Sequence, residues 1–139
     1  MKIVLDTNVI LDVLANRELF VDESEAVLTA GASGWAEAAI TANTVTDIAY
    51  LLRKHLSGES LKTALLGLFE LVGVLNVGYD NCVGAFDIPM SDYEDALLAH
   101  CAKTWGADYI VTRNTKDFSG SPVPAVTPCE FLAVCQKEG

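Results

Sequence analysis

Long apolar runs are missing from this chain: among its 139 residues no uncharged stretch exceeds the 12 of residues 118–129, and that one holds three prolines. A membrane-spanning helix needs about 20 apolar residues, so none is expected. Histidine is scarce, with only His55 and His100, each in a separate helical pattern and neither near a thiol at ligand spacing, which argues against zinc. Both are read as structural or solvent-facing. Cys82, Cys101, Cys129 and Cys135 form no Cys-x-x-Cys pair and are read as buried or idle thiols. Basic residues are few as well: 9 Lys+Arg against 19 Asp+Glu give a net charge of −10. That excludes nucleic-acid binding through a broad basic face, because neutralising phosphates takes clustered Lys and Arg. It leaves open nucleic-acid chemistry in which carboxylates hold the cations that face the phosphate.

Three phosphate and nucleophile signatures are also absent. No Gly-x-Gly-x-x-Gly follows the first strand, Gly31-Ala32-Ser33-Gly34 lacks the spacing of a nucleophile elbow, and Gly58-Glu59-Ser60-Leu61-Lys62-Thr63 lacks the glycine before lysine and a preceding strand. Dinucleotide, serine-hydrolase and P-loop chemistry are set aside. The apolar run ahead of Asp6 is too short for an export signal, so a cytoplasmic chain is expected.

What is present is the makeup of a globular domain, 51% hydrophobic and 20% charged. One domain over residues 1–139 is expected, and at this length roughly 70% of the unfolded surface can be buried without disulfides or a structural metal. Residues 2–5 form a short β-branched run read as a buried strand, followed by the helical pattern Val9, Ile10, Val13, Leu14. Helix 22–32, strand 36–42, helix 44–56 closed by Ser57-Gly58, helix 61–71 and strand 72–77 follow. A short helix at 81–85, a long helix at 92–105, strand 109–112, a turn or short helix at 115–118, strand 125–126 and helix 128–136 complete the chain. Tyr50, Leu51, Phe69, Leu97, Leu98, Trp105, Phe118 and Phe131 are read as core or interface. Strands alternating with helices imply a parallel sheet covered on both faces.

In such a sheet ligands gather at the carboxyl ends of the strands. Four acids fall at strand-to-helix switches: Asp6, ending the first strand; Asp47, in the first turn after the second; Asp95, opening the long helix; and Asp117, beyond the strand ending at Thr112. Helix capping accounts for each singly, since Thr44-x-x-Asp47, Ser91-x-x-Glu94 and Asn114-x-x-Asp117 all approximate capping boxes, and Asp6 is itself a possible cap. Capping does not require four distant acids to meet at one end of one sheet. Gathered carboxylates repel unless protonated or neutralised, and oxygen-only ligands suit Mg²⁺ or Mn²⁺. Such ions activate water and stabilise charge on a phosphoryl group, which points to phosphodiester hydrolysis.

Taken together, Ile3-Val4-Leu5-Asp6-Thr7-Asn8-Val9-Ile10-Leu11-Asp12, Thr44-Val45-Thr46-Asp47-Ile48, Asp92-Tyr93-Glu94-Asp95-Ala96-Leu97 and Ile110-Val111-Thr112-Arg113-Asn114-Thr115-Lys116-Asp117-Phe118 resemble the PIN domain family, particularly the VapC-like ribonuclease toxins of toxin-antitoxin modules. The resemblance covers essentially the whole chain. It implies an α/β/α sandwich around a parallel sheet of four to five strands, and metal-dependent RNA cleavage. By position, Asp6, Asp47, Asp95 and Asp117 would be the catalytic acids and metal ligands, with Asp6 central and Asp47 shorter than the glutamate often found there. Asn8 and Thr112 would orient carboxylates or water by hydrogen bonds.

Asp92 shares a helical face with Asp95 and is either a further ligand or a partner of the helix dipole; Glu94 is assigned to capping alone. Arg113 and Lys116, with Asn114 between them, are candidates for substrate contact, as are Arg53 and Lys54. The expected protein is therefore a Mg²⁺- or Mn²⁺-dependent endoribonuclease. Expected partners are an RNA substrate, an antitoxin with a basic segment, and a second copy in a homodimer. Two alternatives stand beside it: a catalytically inactive PIN-like docking module for protein or RNA, and a small-molecule phosphatase, which would lack its Asp-x-Asp signature because Asn8 follows Asp6 at that spacing.

Overall fold

The structure is a computed structural model that describes residues 1–138; Gly139, the last residue of the expected domain span, lies outside the described residues. Five parallel strands, β1 (Lys2–Leu5), β2 (Glu37–Thr41), β3 (Gly73–Leu75), β4 (Tyr109–Val111) and β5 (Ala125–Val126), make one sheet in the order β3-β2-β1-β4-β5. The helices are α1 (Thr7–Leu14), α2 (Val21–Ala32), α3 (Ala42–Leu51), α4 (Gly58–Leu71), α5 (Tyr79–Gly84), α6 (Tyr93–Trp105) and α7 (Pro128–Glu138), with short 3-10 turns at Ala85–Asp87 and Thr115–Phe118. This is the expected α/β fold with its central parallel sheet.

Both faces of the sheet are covered, as a parallel sheet requires. Side chains alternate along β1, so Ile3 and Leu5 pack on one face with Val9, Ile10, Val27, Ile40, Ile48 and Phe131, while Val4 packs on the other with Leu98, Ala99, Ala102, Ile110 and Phe118. Leu97 and Cys101 on α6 extend the second face into a small cluster with Ala85 and Ala96. β1 is central, and its residues 3–5 are wholly apolar because they are buried on both sides. The chain runs outward from β1 through β2 to β3, then returns to the other side of β1 for β4 and β5. The strand order therefore reverses between β1 and β4, which makes their carboxyl ends the topological switch point.

Several boundaries differ from the sequence expectations, and the differences bear on the site. β2 ends at Thr41 and α3 begins at once, with Thr41 rather than Thr44 in the cap position. Thr41 Oγ1 instead bonds Asn43 Oδ1 at 2.7 Å and Thr44 Oγ1 at 3.0 Å. The expected Thr44–Asp47 capping box is therefore wrong, and Asp47 sits in the second helical turn. α3 stops at Leu51, and Ser57-Gly58 opens α4 instead of closing a helix: Ser60 Oγ accepts the Ser57 N–H at 3.1 Å and donates to the Ser57 carbonyl at 2.8 Å. At α6 the cap is Asp92, whose Oδ1 accepts the Asp95 N–H at 2.9 Å, so the Ser91–Glu94 box is also overturned. Asn114 does occupy the cap position of its 3-10 turn, but through its carbonyl, which accepts the Asp117 N–H at 3.0 Å. α6 ends on Gly106 with φ of 83°, the left-handed position that glycine takes most easily.

Candidate active site

Asp6 leaves β1 as the cap of α1, its Oδ1 accepting the Thr7 N–H at 2.8 Å. Its Oδ2 accepts from Thr112 Oγ1 at 2.8 Å and from Asn8 Nδ2 at 3.4 Å. Thr112 is fully buried just beyond β4 and also accepts from Asn8 Nδ2 at 3.3 Å and the Asn114 N–H at 3.1 Å. Asn8 Oδ1 in turn accepts the Arg113 N–H at 3.3 Å. One central carboxylate is thus held by groups from both sides of the switch point. The site roles expected for Asn8 and Thr112 rest on these bonds.

In front of Asp6 lies a cavity of about 420 Å³ lined by Asp6, Thr7, Asn8, Leu11, Asp47, Leu51, Asp92, Glu94 and Asp95. α3 supplies Asp47 from its second turn, and the start of α6 supplies the other three acids. Asp92 thus caps the helix and faces the cavity as well. Glu94 is the residue the sequence reading missed. Assigned to capping, it instead lines the cavity beside Asp47, with which it can share a proton. Its position two residues after the true cap was the available signal, hidden by placing the helix start one residue early.

The electrostatics are those of crowded like charges. Burial pushes the Asp6 carboxyl up, with a smaller push from Asp117, while Thr112, the Thr7 amide and Arg113 pull it down. Asp95 is raised to about 6, by burial first and then by Asp6, Asp92 and Asp117. Glu94 is raised to about 7, chiefly through its bond to Asp47, with burial and the charges of Asp47, Asp92 and Asp95 adding. Asp117 is exposed and does not line the cavity, yet its charge reaches both Asp6 and Asp95. Among the described residues every ion pair is made by Asp12, so none of the cavity acids has a basic partner.

The donor set fits a hard divalent cation: carboxylate oxygens only, on a wall without basic partners. Among the described residues, however, no three Asp, Glu, His or Cys side chains stand close enough to form a ready-made ligand group. Asp6, Asp47 and Asp95 line one cavity at the end of the sheet, and Asp117 lies outside it within electrostatic reach of Asp6 and Asp95.

Arg113 is partly committed elsewhere. Its Nε donates to buried Asp12 Oδ2 at 2.8 Å and its guanidinium lies over the Phe20 ring at 4.0 Å, while its Nη groups have no hydrogen-bond partner among the described residues. Lys116 and Asn114 are exposed beside Asp117. Arg53, just beyond the end of α3, folds back on that helix, donating to the Tyr50 carbonyl at 2.6 Å and stacking on the Tyr50 ring at 3.7 Å. His100 packs against Gly84 and bonds Asn81 at 3.2 Å, and His55 is exposed; neither lines the cavity. No helix among the described residues is long and apolar enough to cross a membrane.

The PIN-domain family model matches residues 2–116, and the chain belongs to that family. No curated protein matches the sequence. Among solved structures, the chain is similar to DNA-bound VapBC from Salmonella typhimurium, with a TM-score of 0.71 and 21% identity over 93% of this chain and 99% of that one. It is similar to a toxin-antitoxin complex from Klebsiella pneumoniae, TM-score 0.70 and 24% identity over 90% and 96%. A third is Mycobacterium tuberculosis VapC20, a sarcin-ricin loop cleaving toxin, TM-score 0.60 and 16% identity over 78% and 86%. At these identities the likeness is one of fold.

Proposed function

We propose that this protein is a divalent-metal-dependent endoribonuclease, a single PIN domain acting as the toxin of a toxin-antitoxin pair. The observation that carries the reading is the convergence of Asp6, Asp47, Asp92, Glu94 and Asp95 on one cavity at the switch point, with Asp117 alongside. Family membership supports nuclease chemistry, and the similarity to a toxin that cleaves an RNA loop supports RNA as substrate.

Asp6, Asp95 and Asp117 would hold Mg²⁺ or Mn²⁺, with Asp47 and Glu94 contributing directly or through water. When bound, the cation supplies Lewis acidity that activates water and stabilises charge developing on the phosphate. The chain's own residues do the positioning. Thr112 and Asn8 fix the Asp6 carboxylate so that both its oxygens have set directions. Asp95 and Glu94, whose carboxyls are raised to about 6 and about 7, would be the groups placed to accept a proton from attacking water once ionised. Lys116, Asn114 and the free edge of Arg113 would contact the RNA backbone. The acidic cavity suits a basic antitoxin segment that blocks cation and substrate together, consistent with the partnered structures the fold resembles. Association into a homodimer and a cytoplasmic site of action complete the proposal.

The test is a mixed panel of RNA, DNA and small phosphate esters incubated with Mg²⁺, with Mn²⁺ and with chelator. Metal-dependent internal cuts in RNA alone support the reading. Hydrolysis of small esters alone would favour the phosphatase, and binding of RNA or protein with no cutting would favour a docking module.

A further inference from the structure

Asp12 is completely buried, an unusual place for a carboxylate outside the acidic cavity. Its Oδ2 accepts from Ser24 Oγ at 3.0 Å and from Arg113 Nε at 2.8 Å. Its Oδ1 has no hydrogen-bond partner, and Arg17 Nη1 lies 3.6 Å away, within ion-pair but beyond hydrogen-bond range. A buried ion pair contributes little net stability compared with an apolar replacement; what it fixes is geometry. Here it clamps the Nε side of the Arg113 guanidinium, while Phe20 covers one flat face. The Nη groups and the other face are left over.

Arg113 lines a second cavity of about 290 Å³, whose walls are Phe20, Glu23, Ser24, Arg113, Thr127 and Pro128. It is a separate cavity from the acidic one and shares no wall residue with it. The two are nevertheless joined through Asn8, whose Oδ1 accepts the Arg113 N–H and whose Nδ2 donates to Asp6. Arg113 thus stands between the two, its backbone N–H tied to the residue that holds Asp6 and its side chain lining the second cavity.

We propose that the Arg113 cavity is a subsite for one nucleotide of the RNA substrate next to the cleaved bond, with Asp12 as the positioning residue that holds the guanidinium. The inference rests on the nuclease reading of the acidic cavity. Two Nη groups on one rigid plane match two phosphate oxygens, a fit that a lysine cannot reproduce. The Phe20–Arg113 pair offers a base a flat surface to stack against. The mixed lining, with Arg113 as donor, Glu23 as acceptor and the Phe20 ring beside them, matches the phosphate, base edge and base face of a nucleotide.

The experiment measures binding of a short single-stranded RNA oligonucleotide, with Ca²⁺ replacing Mg²⁺ to hold it uncut, across a salt series. It compares wild type, Arg113→Gln, Asp12→Asn and Phe20→Leu, with steady-state cleavage in Mg²⁺ alongside. The slope of log affinity against log salt should become shallower by about 0.7 in Arg113→Gln, the value of one single-strand phosphate contact. Asp12→Asn should move the same way, with its loss falling on KM more than on kcat. Phe20→Leu should weaken binding several-fold at unchanged slope. Phe20→Leu leaves the buried ion pair intact, so it carries the test even where Asp12→Asn does not fold. Wild-type affinity and slope in Arg113→Gln and Phe20→Leu, with wild-type cleavage intact, overturn the subsite alone. A wild type that neither binds nor cuts RNA overturns the nuclease reading and the subsite with it. A basic peptide whose binding is lost in Phe20→Leu while RNA binding is not would assign the cavity to a protein partner and also overturn the proposal.

Discussion

Thr112 Oγ1 donates a 2.8 Å hydrogen bond to Asp6 Oδ2 and so ties together the carboxyl ends of β4 and β1, the two strands between which the sheet order reverses. The bond links residues 106 positions apart and fixes the direction in which the central carboxylate faces the acidic cavity. Replacing Thr112 by valine keeps the shape and removes the hydroxyl. It leaves Asp6 short of a donor and the Asn114 N–H without its acceptor. The expected cost is about 1–3 kcal/mol of stability, read from urea unfolding, together with a clear fall in RNA cleavage. A stable Thr112→Val protein with full activity would contradict the assigned role.

Without divalent cation, stability should fall as pH rises from about 4 to 7. Asp95 goes from an ordinary 3.8 to about 6 in the folded protein and Glu94 from 4.5 to about 7. Across that window the native state holds protons that the unfolded chain has released, so raising the pH favours unfolding. Added Mg²⁺ or Mn²⁺ should flatten the fall, because the cation replaces the protons. Thermal melts at several pH values, with and without metal, check both halves.

Asp47 and Glu94 act as one unit. Asp47→Asn and Glu94→Gln each relieve the same repulsion between paired carboxylates, so their gains in metal-free stability above pH 7 should be less than additive. A double-mutant cycle with strict additivity would separate the two acids and contradict their pairing.

Gly106 serves as a control away from the site. Its φ of 83° is strained for any L side chain, although nothing lies within 4 Å of the added methyl. Gly106→Ala should therefore cost about 1–2 kcal/mol and leave the cleavage rate of the folded protein unchanged.

Most of the fold was legible because the apolar runs are short and bounded: β1 ends at an acid, and α6 ends at Gly106 with an apolar face behind it. Asp6 and Asp95 were legible for the same reason, since one follows a strand and the other opens a helix, whereas Asp47 falls one helical turn later than the sequence suggests. Helix starts were less legible. Thr41 and Thr44 are equally good cap residues, as are Ser91 and Asp92, and only tertiary contacts choose between them. That ambiguity hid Glu94, because a cap at Ser91 would commit its carboxyl to the helix start, whereas the cap at Asp92 leaves it to face the cavity. The burial of Asp12 had no sequence signal, because its partners Ser24 and Arg113 come from distant positions.

Cleavage of RNA by wild type and Asp6→Asn, each confirmed folded, with Mn²⁺ and with chelator, tests the central claim most directly. The substitution is nearly isosteric, keeps the oxygen that faces Thr112, and removes the charge at the centre of the cavity. The account predicts Mn²⁺-dependent cutting by wild type that falls at least ~100-fold in Asp6→Asn, as loss of a central electrostatic group does. Equal cutting by the two proteins, or cutting that survives chelator, would contradict it.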